Sequence, residues 1–155
     1  MSTKFTIRTK MNSNKQPLAL ALVDANHWMS SSVLNLMHAR GHTELTISHL
    51  LFFYSLDCGL THASAVARRM GSTRQAVYKT TKELQRVGIL ELIPAPDNKR
   101  QKVISMTPSG ERVALDAREC VAVIEEHLAK RLGKTVACQM LDALSADWGL
   151  PLQEI

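Results

Sequence analysis

The stretch GSTRQAVYKTTKELQRVG, residues 71–88, decides how this chain folds. Wound as a helix, it sets Thr73, Val77, Thr80, Leu84 and Val87 on one stripe, the spacing of a face laid against a core. The other side carries Arg74, Gln75, Tyr78, Lys79 and Lys82, long hydrogen-bonding side chains that suit a solvated face or a contact surface equally well. Ser72 and Gln75 stand in the Ser-x-x-Gln spacing of a capping box, which predicts that Ser72 caps the helix while Gln75 reaches back to it.

Immediately upstream, LTHASAVARRM (residues 60–70) predicts a shorter helix capped by Thr61, with Ala65, Val66 and Met70 facing inward. Small residues at Ala63, Ala65 and Ala67 allow close helix approach, and Gly71 supplies a turn, so the pair reads as a helix-turn-helix. Downstream, residues 89–93 and 102–106 alternate and are rich in β-branched side chains, predicting two antiparallel strands. The proline-rich tip between them, residues 94–101, carries Lys99 and Arg100, with Lys102 just after it. A basic hairpin directly after a candidate recognition helix has the layout of a wing that reaches a neighbouring phosphate or minor groove.

Thr107-Pro108 then predicts a helix start, threonine as N-cap and proline at the first helical position. Val113, Ala117, Cys120, Val121, Ile124, Leu128 and Leu132 form its apolar stripe; Gly133 breaks it, and a last helix carries Val136, Met140, Leu141, Leu144 and Trp148. At the other end, residues 1–16 look like a flexible basic arm. A long first helix follows Pro17 and ends near Gly41, with Leu18, Leu22, Ala25, Met29, Val33 and Leu36 in helical spacing. A second helix is predicted over residues 45–56, capped by Thr46 and closed by Gly59. The fold class expected is therefore mainly α with a small β-hairpin (α+β), one unit over residues 17–155. Residues 45–107 are its winged part. Residues 17–41 and 108–155 offer more apolar helix surface than a small winged domain needs, which points to a homodimer built from the terminal helices.

Charge agrees with this division. The chain has 155 residues, 45% of them hydrophobic, and a net charge of +5. From Arg68 to Lys102 nine cations face three anions, a local +6 that leaves about −1 for the remainder. No nucleophile elbow, phosphate loop, paired catalytic carboxylates or metal motif is present, so no catalytic residue, cofactor or metal is assigned and the chain is not expected to be an enzyme. Cys58, Cys120 and Cys138 are odd in number and lack a C-x-x-C pair, the pattern of reduced thiols rather than a disulfide framework. His38 and His42 have an i, i+4 spacing, but Gly41 intervenes and no carboxylate cluster accompanies them. No apolar run is long enough for a membrane span, and a cytoplasmic location is expected.

Taken in order, LTISHLLFFYSL, LTHASAVARRMGSTRQAVYKTTKELQRVGILELI and PDNKRQKVISMTPSGE resemble the MarR family of winged helix-turn-helix transcription regulators. The resemblance implies a dimer, often a repressor, that binds a palindromic operator in double-stranded DNA and is in many cases released by a small aromatic effector. It makes residues 71–88 the recognition helix for the major groove and Arg100 the wing arginine for the minor groove. On that reading Arg74, Gln75 and Tyr78 reach base edges, and Ser72, Thr73, Lys79 and Lys82, with Lys99 of the wing, serve phosphates. Gln75 cannot read a base while it closes a capping box. Where the family often has a wing-bracing aspartate this chain has Asn98, with Asp97 beside it, so either residue is left for that role. His27, Trp28, His38, Phe52 and Phe53 are the candidates for lining an effector pocket.

Overall fold

In a computed structural model, residues 16–57, 62–96 and 98–153 are described. The elements follow in the order α1 (Leu18–Ala39), α2 (Ile47–Asp57), α3 (Ala63–Arg69), α4 (Arg74–Arg86), β1 (Leu90–Pro94), β2 (Lys102–Met106), α5 (Pro108–Leu132) and α6 (Lys134–Ser145). The mainly helical architecture with one antiparallel hairpin is the one the sequence predicts. Gly59 as a closing residue, Thr61 as a cap, Cys58 and all of the expected arm but Gln16 lie outside the described residues.

Side-chain caps mark the starts of α2, α4 and α5. Thr46 Oγ1 accepts from the His49 N–H at 3.3 Å while His49 Nδ1 accepts from the Thr46 N–H at 3.3 Å, a reciprocal cap with an imidazole in place of the usual carboxylate. Thr107 Oγ1 accepts from the Gly110 N–H at 3.1 Å, and Pro108 occupies the first turn, as predicted. The same hydroxyl donates to the Gly88 carbonyl at 2.6 Å, so the cap of α5 also ties it to the chain just before β1.

The predicted capping box at Ser72 does not form. Helix α3 ends in a Schellman motif: the Gly71 N–H bonds to the Arg68 carbonyl at 3.2 Å and the Ser72 N–H to the Ala67 carbonyl at 2.9 Å, with Gly71 at φ +60°. Ser72 is thus the closing residue of the preceding helix. The cap of α4 falls to Thr73, whose Oγ1 accepts from the Ala76 N–H at 3.1 Å. The buried stripe of α4 also differs from expectation: Val77, Thr81 and Leu84 are buried, whereas Thr73 and Val87 are exposed and Thr80 is half-buried. Thr81 is tolerated inside because its hydroxyl donates to the Val77 carbonyl at 2.8 Å.

A single apolar core joins Val33 and Met37 of α1, Leu50, Phe52, Phe53 and Leu56 of α2, Val66 of α3, Val77 and Leu84 of α4, Ile104 of β2, and Val113, Ala117, Cys120 and Ile124 of α5. Arg40, just past α1, bonds Asp116 at 3.3 Å and Glu119 at 2.7 Å, and His42 Nε2 meets Asp116 Oδ2 at 2.7 Å, which pins the end of α1 to the middle of α5. The ends of the chain are different. Leu18, Leu20 and Val23 of α1 are exposed, α6 buries no residue, and Leu132, Val136, Met140, Leu141, Leu144 and Trp148 all stand open.

Candidate nucleic-acid interface

Helix α4 turns Val77, Thr81 and Leu84 to the core, so the rest of its circumference must face out. Arg74, Gln75, Tyr78, Lys79 and Lys82 are all exposed along it. With the cap at Thr73, Gln75 has no capping duty and its amide is free to point outward. Lys82 Nζ lies 5.5 Å from the centre of the Tyr78 ring, a cation–π contact that holds two outward side chains in one arrangement. Ser72 stands apart from this set: it is half-buried, and its hydroxyl oxygen is shut from solvent with no hydrogen-bond partner among the described residues.

An open groove along the helix is lined by Gln75, Tyr78, Lys79, Lys82, Glu83 and Arg86, among others. Arg86 and Glu83 were not among the residues singled out from the sequence. Arg86 was legible as a cation one turn beyond Lys82, and Glu83 as the i, i+4 partner of Lys79, whose ammonium lies 3.9 Å from it.

The wing follows directly. Strand pairing runs from Leu90 opposite Met106 to Pro94 opposite Lys102, leaving residues 95–101 as the tip. The tip is closed by its own hydrogen bonds: Ala95 N–H to the Gln101 carbonyl at 2.9 Å, and Gln101 N–H to the Asn98 carbonyl at 2.9 Å. Asn98 Oδ1 accepts from the Arg100 N–H at 3.1 Å, an Asx turn that fixes the backbone from which Arg100 springs. The amide oxygen thus makes the bond a carboxylate would make there. Asp97 lies outside the described residues. Lys99, Arg100 and Lys102 are exposed.

The five candidates for an effector pocket are not brought together. Phe52 and Phe53 are core residues, exposed by 0% and 2%. His38 Nε2 bonds the Leu45 carbonyl at 3.0 Å. His27 and Trp28 share an open depression on α1 with Asp24, Ser31, Ser32 and Asn35, and the Trp28 ring stacks on His127 at 6.3 Å between centroids. Among the described residues, no three His, Cys, Asp or Glu side chains converge as a metal site. Cys120 is buried against Met37, its sulfur 3.7 Å from the thioether, and burial pushes its thiol pKa up; Cys138 is exposed.

Known proteins sharpen this picture. No family model matches the chain. Uncharacterised proteins of Mycobacterium bovis and Mycobacterium tuberculosis are 36% identical over 73 residues, which is 47% of this chain and 50% of theirs, so the match spans half the length of those relatives. Solved structures align far more completely. CouR of Rhodococcus jostii RHA1, solved with p-coumaroyl-CoA, superposes with a TM-score of 0.69 at 20% identity, covering 90% of this chain and 96% of that one. CouR on a 23-mer DNA duplex gives 0.68 at 21% identity over 83% and 90% of the two chains. The apo form of MarR from E. coli gives 0.68 at 15% identity, covering 85% and 98%.

The fold is that of the MarR-type regulators. Within the MarR fold, α3 and α4 form the helix-turn-helix, the β1–β2 hairpin is the wing, and the long helices α1 and α5 flank them with the shorter α6. No helix among the described residues is long and apolar enough to cross a membrane.

Proposed function

We propose that this chain is a dimeric, sequence-specific, double-stranded-DNA-binding transcription regulator that acts as a repressor. The observation that carries the reading is the outward face of α4, where Arg74, Gln75, Tyr78, Lys79 and Lys82 are exposed next to a self-braced wing bearing Lys99 and Arg100. Helix α4 enters the major groove, where Arg74 can fork onto a guanine and Gln75 onto an adenine; Arg100 reaches into the flanking minor groove. Thr73, Lys79, Lys82 and Lys99 contribute salt-sensitive phosphate contacts. The DNA duplex held by one neighbour of the same fold supports this use of the surface.

The exposed apolar side chains of α6 and of the first turns of α1 support a homodimer, since a second copy removes them from water and places two recognition helices on a two-fold operator. A small aromatic effector is the proposed release signal. The p-coumaroyl-CoA bound by CouR in a second structure supports that chemical class, and the Trp28 and His27 depression is the candidate surface in this chain.

The test is selection from a random duplex pool by the purified protein at near-physiological salt. The proposal expects a two-fold symmetric motif with half-sites about one helical turn apart. Recovery of no motif contradicts it, leaving a nonspecific binder or a winged helix that docks proteins.

A further inference from the structure

The core side of α4 is narrow. Val77, Thr81 and Leu84 are the buried residues of the helix, and their burial is non-directional, so by itself it does not set the roll of the helix to the tolerance of a hydrogen bond. Phosphate contacts tolerate a small roll, because a lysine on a flexible stem still finds a phosphate. Base-edge hydrogen bonds do not, since their geometry is directional. A directional tether to the body of the protein would hold the roll that such hydrogen bonds require.

A chain of polar contacts supplies one. His49 of α2 is 8% exposed, and its ring sits between two partners on different elements. On one side Nδ1 accepts from the Thr46 N–H at 3.3 Å. That donor fixes the tautomer: Nδ1 carries the lone pair, so Nε2 carries the hydrogen. On the other side Nε2 lies 3.3 Å from Glu83 Oε2 on α4 and donates to it. The second carboxylate oxygen of Glu83 lies 3.9 Å from the Lys79 ammonium. The imidazole is thus anchored at the N-terminus of α2 and holds a carboxylate on the flank of the DNA-facing surface of α4.

We propose that His49 is a positioning residue that sets the roll of the recognition helix through its hydrogen bond to Glu83, and so determines base selectivity rather than overall affinity for DNA. The inference rests on the reading of α4 as an operator-binding helix. Glu83 contributes here as an acceptor and not as a charge. A neutral acceptor at the same place therefore preserves the tether.

The experiment compares Glu83→Gln with Glu83→Ala in the full chain. Both remove the same charge, but glutamine keeps an oxygen for His49 and alanine does not. Glu83 is 43% exposed, so neither change opens a cavity in the core. The readout is the ratio of affinities for the selected operator and for a random duplex, at fixed salt and well below the unfolding temperature of each variant. The proposal expects Glu83→Gln to keep the wild-type ratio and Glu83→Ala to lose about tenfold in it, while the two bind random duplex alike. His49→Phe should match Glu83→Ala. Equal ratios in both Glu83 variants, whether both preserved or both lost, would overturn the proposal. If the wild-type protein itself shows no operator preference, the reading of α4 as an operator-binding helix fails first.

Discussion

Gly110, in the first turn of α5, lies so close to Ile89 that a Cβ on it would sit 2.1 Å from the Ile89 carbonyl oxygen. The same carbonyl accepts from the Thr107 N–H at 3.1 Å, and the Thr107 hydroxyl donates to Gly88. Thr107 and Gly110 thus seat the start of α5 on the chain where α4 gives way to the wing. The spacing Thr-Pro-x-Gly has a physical cause at each of its named positions: a cap, a preset φ, and the absence of a side chain.

Gly110→Ala must push backbone away from backbone, which no rotamer change can relieve. A loss of about 1–3 kcal/mol is expected. Urea unfolding should show it as a lower midpoint with an unchanged slope.

The register of the α4 cap can be read by mutation. Thr73→Ala removes the acceptor for the Ala76 N–H and should cost about 1 kcal/mol. Ser72→Ala removes a buried hydroxyl that has no partner among the described residues and should be neutral or mildly stabilising. A larger loss at Ser72 than at Thr73 in thermal unfolding would restore the capping box at Ser72.

Asn98 braces the wing through the Arg100 N–H. Asn98→Ala should speed amide hydrogen exchange at Arg100 without lowering global stability, whereas Asn98→Asp, which keeps the acceptor, should leave exchange protected. Duplex binding should weaken in the alanine variant only.

Acid sensitivity is built into the α1–α5 fastening. The hydrogen bond from His42, with Arg40 nearby, holds the Asp116 carboxyl below its ordinary value of 3.8. A carboxyl depressed in the folded state contributes stability above its unfolded pKa and loses it as pH falls through the folded value. Asp116→Asn should therefore flatten the stability profile on the acid side, below the ordinary carboxylate range, and lower stability at neutral pH. Denaturant midpoints measured across that range check both.

What could be read in the sequence was what is local. The outward set on α4 follows from helical spacing alone, and Thr107-Pro108 needs only its neighbours to be a cap. The misplaced capping box shows the limit: Ser72 has the right spacing to Gln75, but its N–H is already spent closing α3, a constraint imposed from the preceding turn. Phe52 and Phe53 looked suited to a pocket because sequence does not say that α2 is enclosed by core on that side. The pairing of His49 with Glu83 gave no signal, because 34 residues separate two side chains that only the packing of α2 on α4 brings together.

If the face of α4 reads bases, Arg74→Ala and Lys79→Ala must affect DNA binding in different ways. Affinities for the selected operator and for single-base variants of it would be measured over a range of salt. Arg74→Ala is expected to cost about 1–3 kcal/mol on the operator and to blur preference at one position of each half-site. Lys79→Ala should weaken all duplexes alike and reduce the salt slope by about one. If Arg74→Ala leaves the base preference intact, α4 is not the element that reads the sequence.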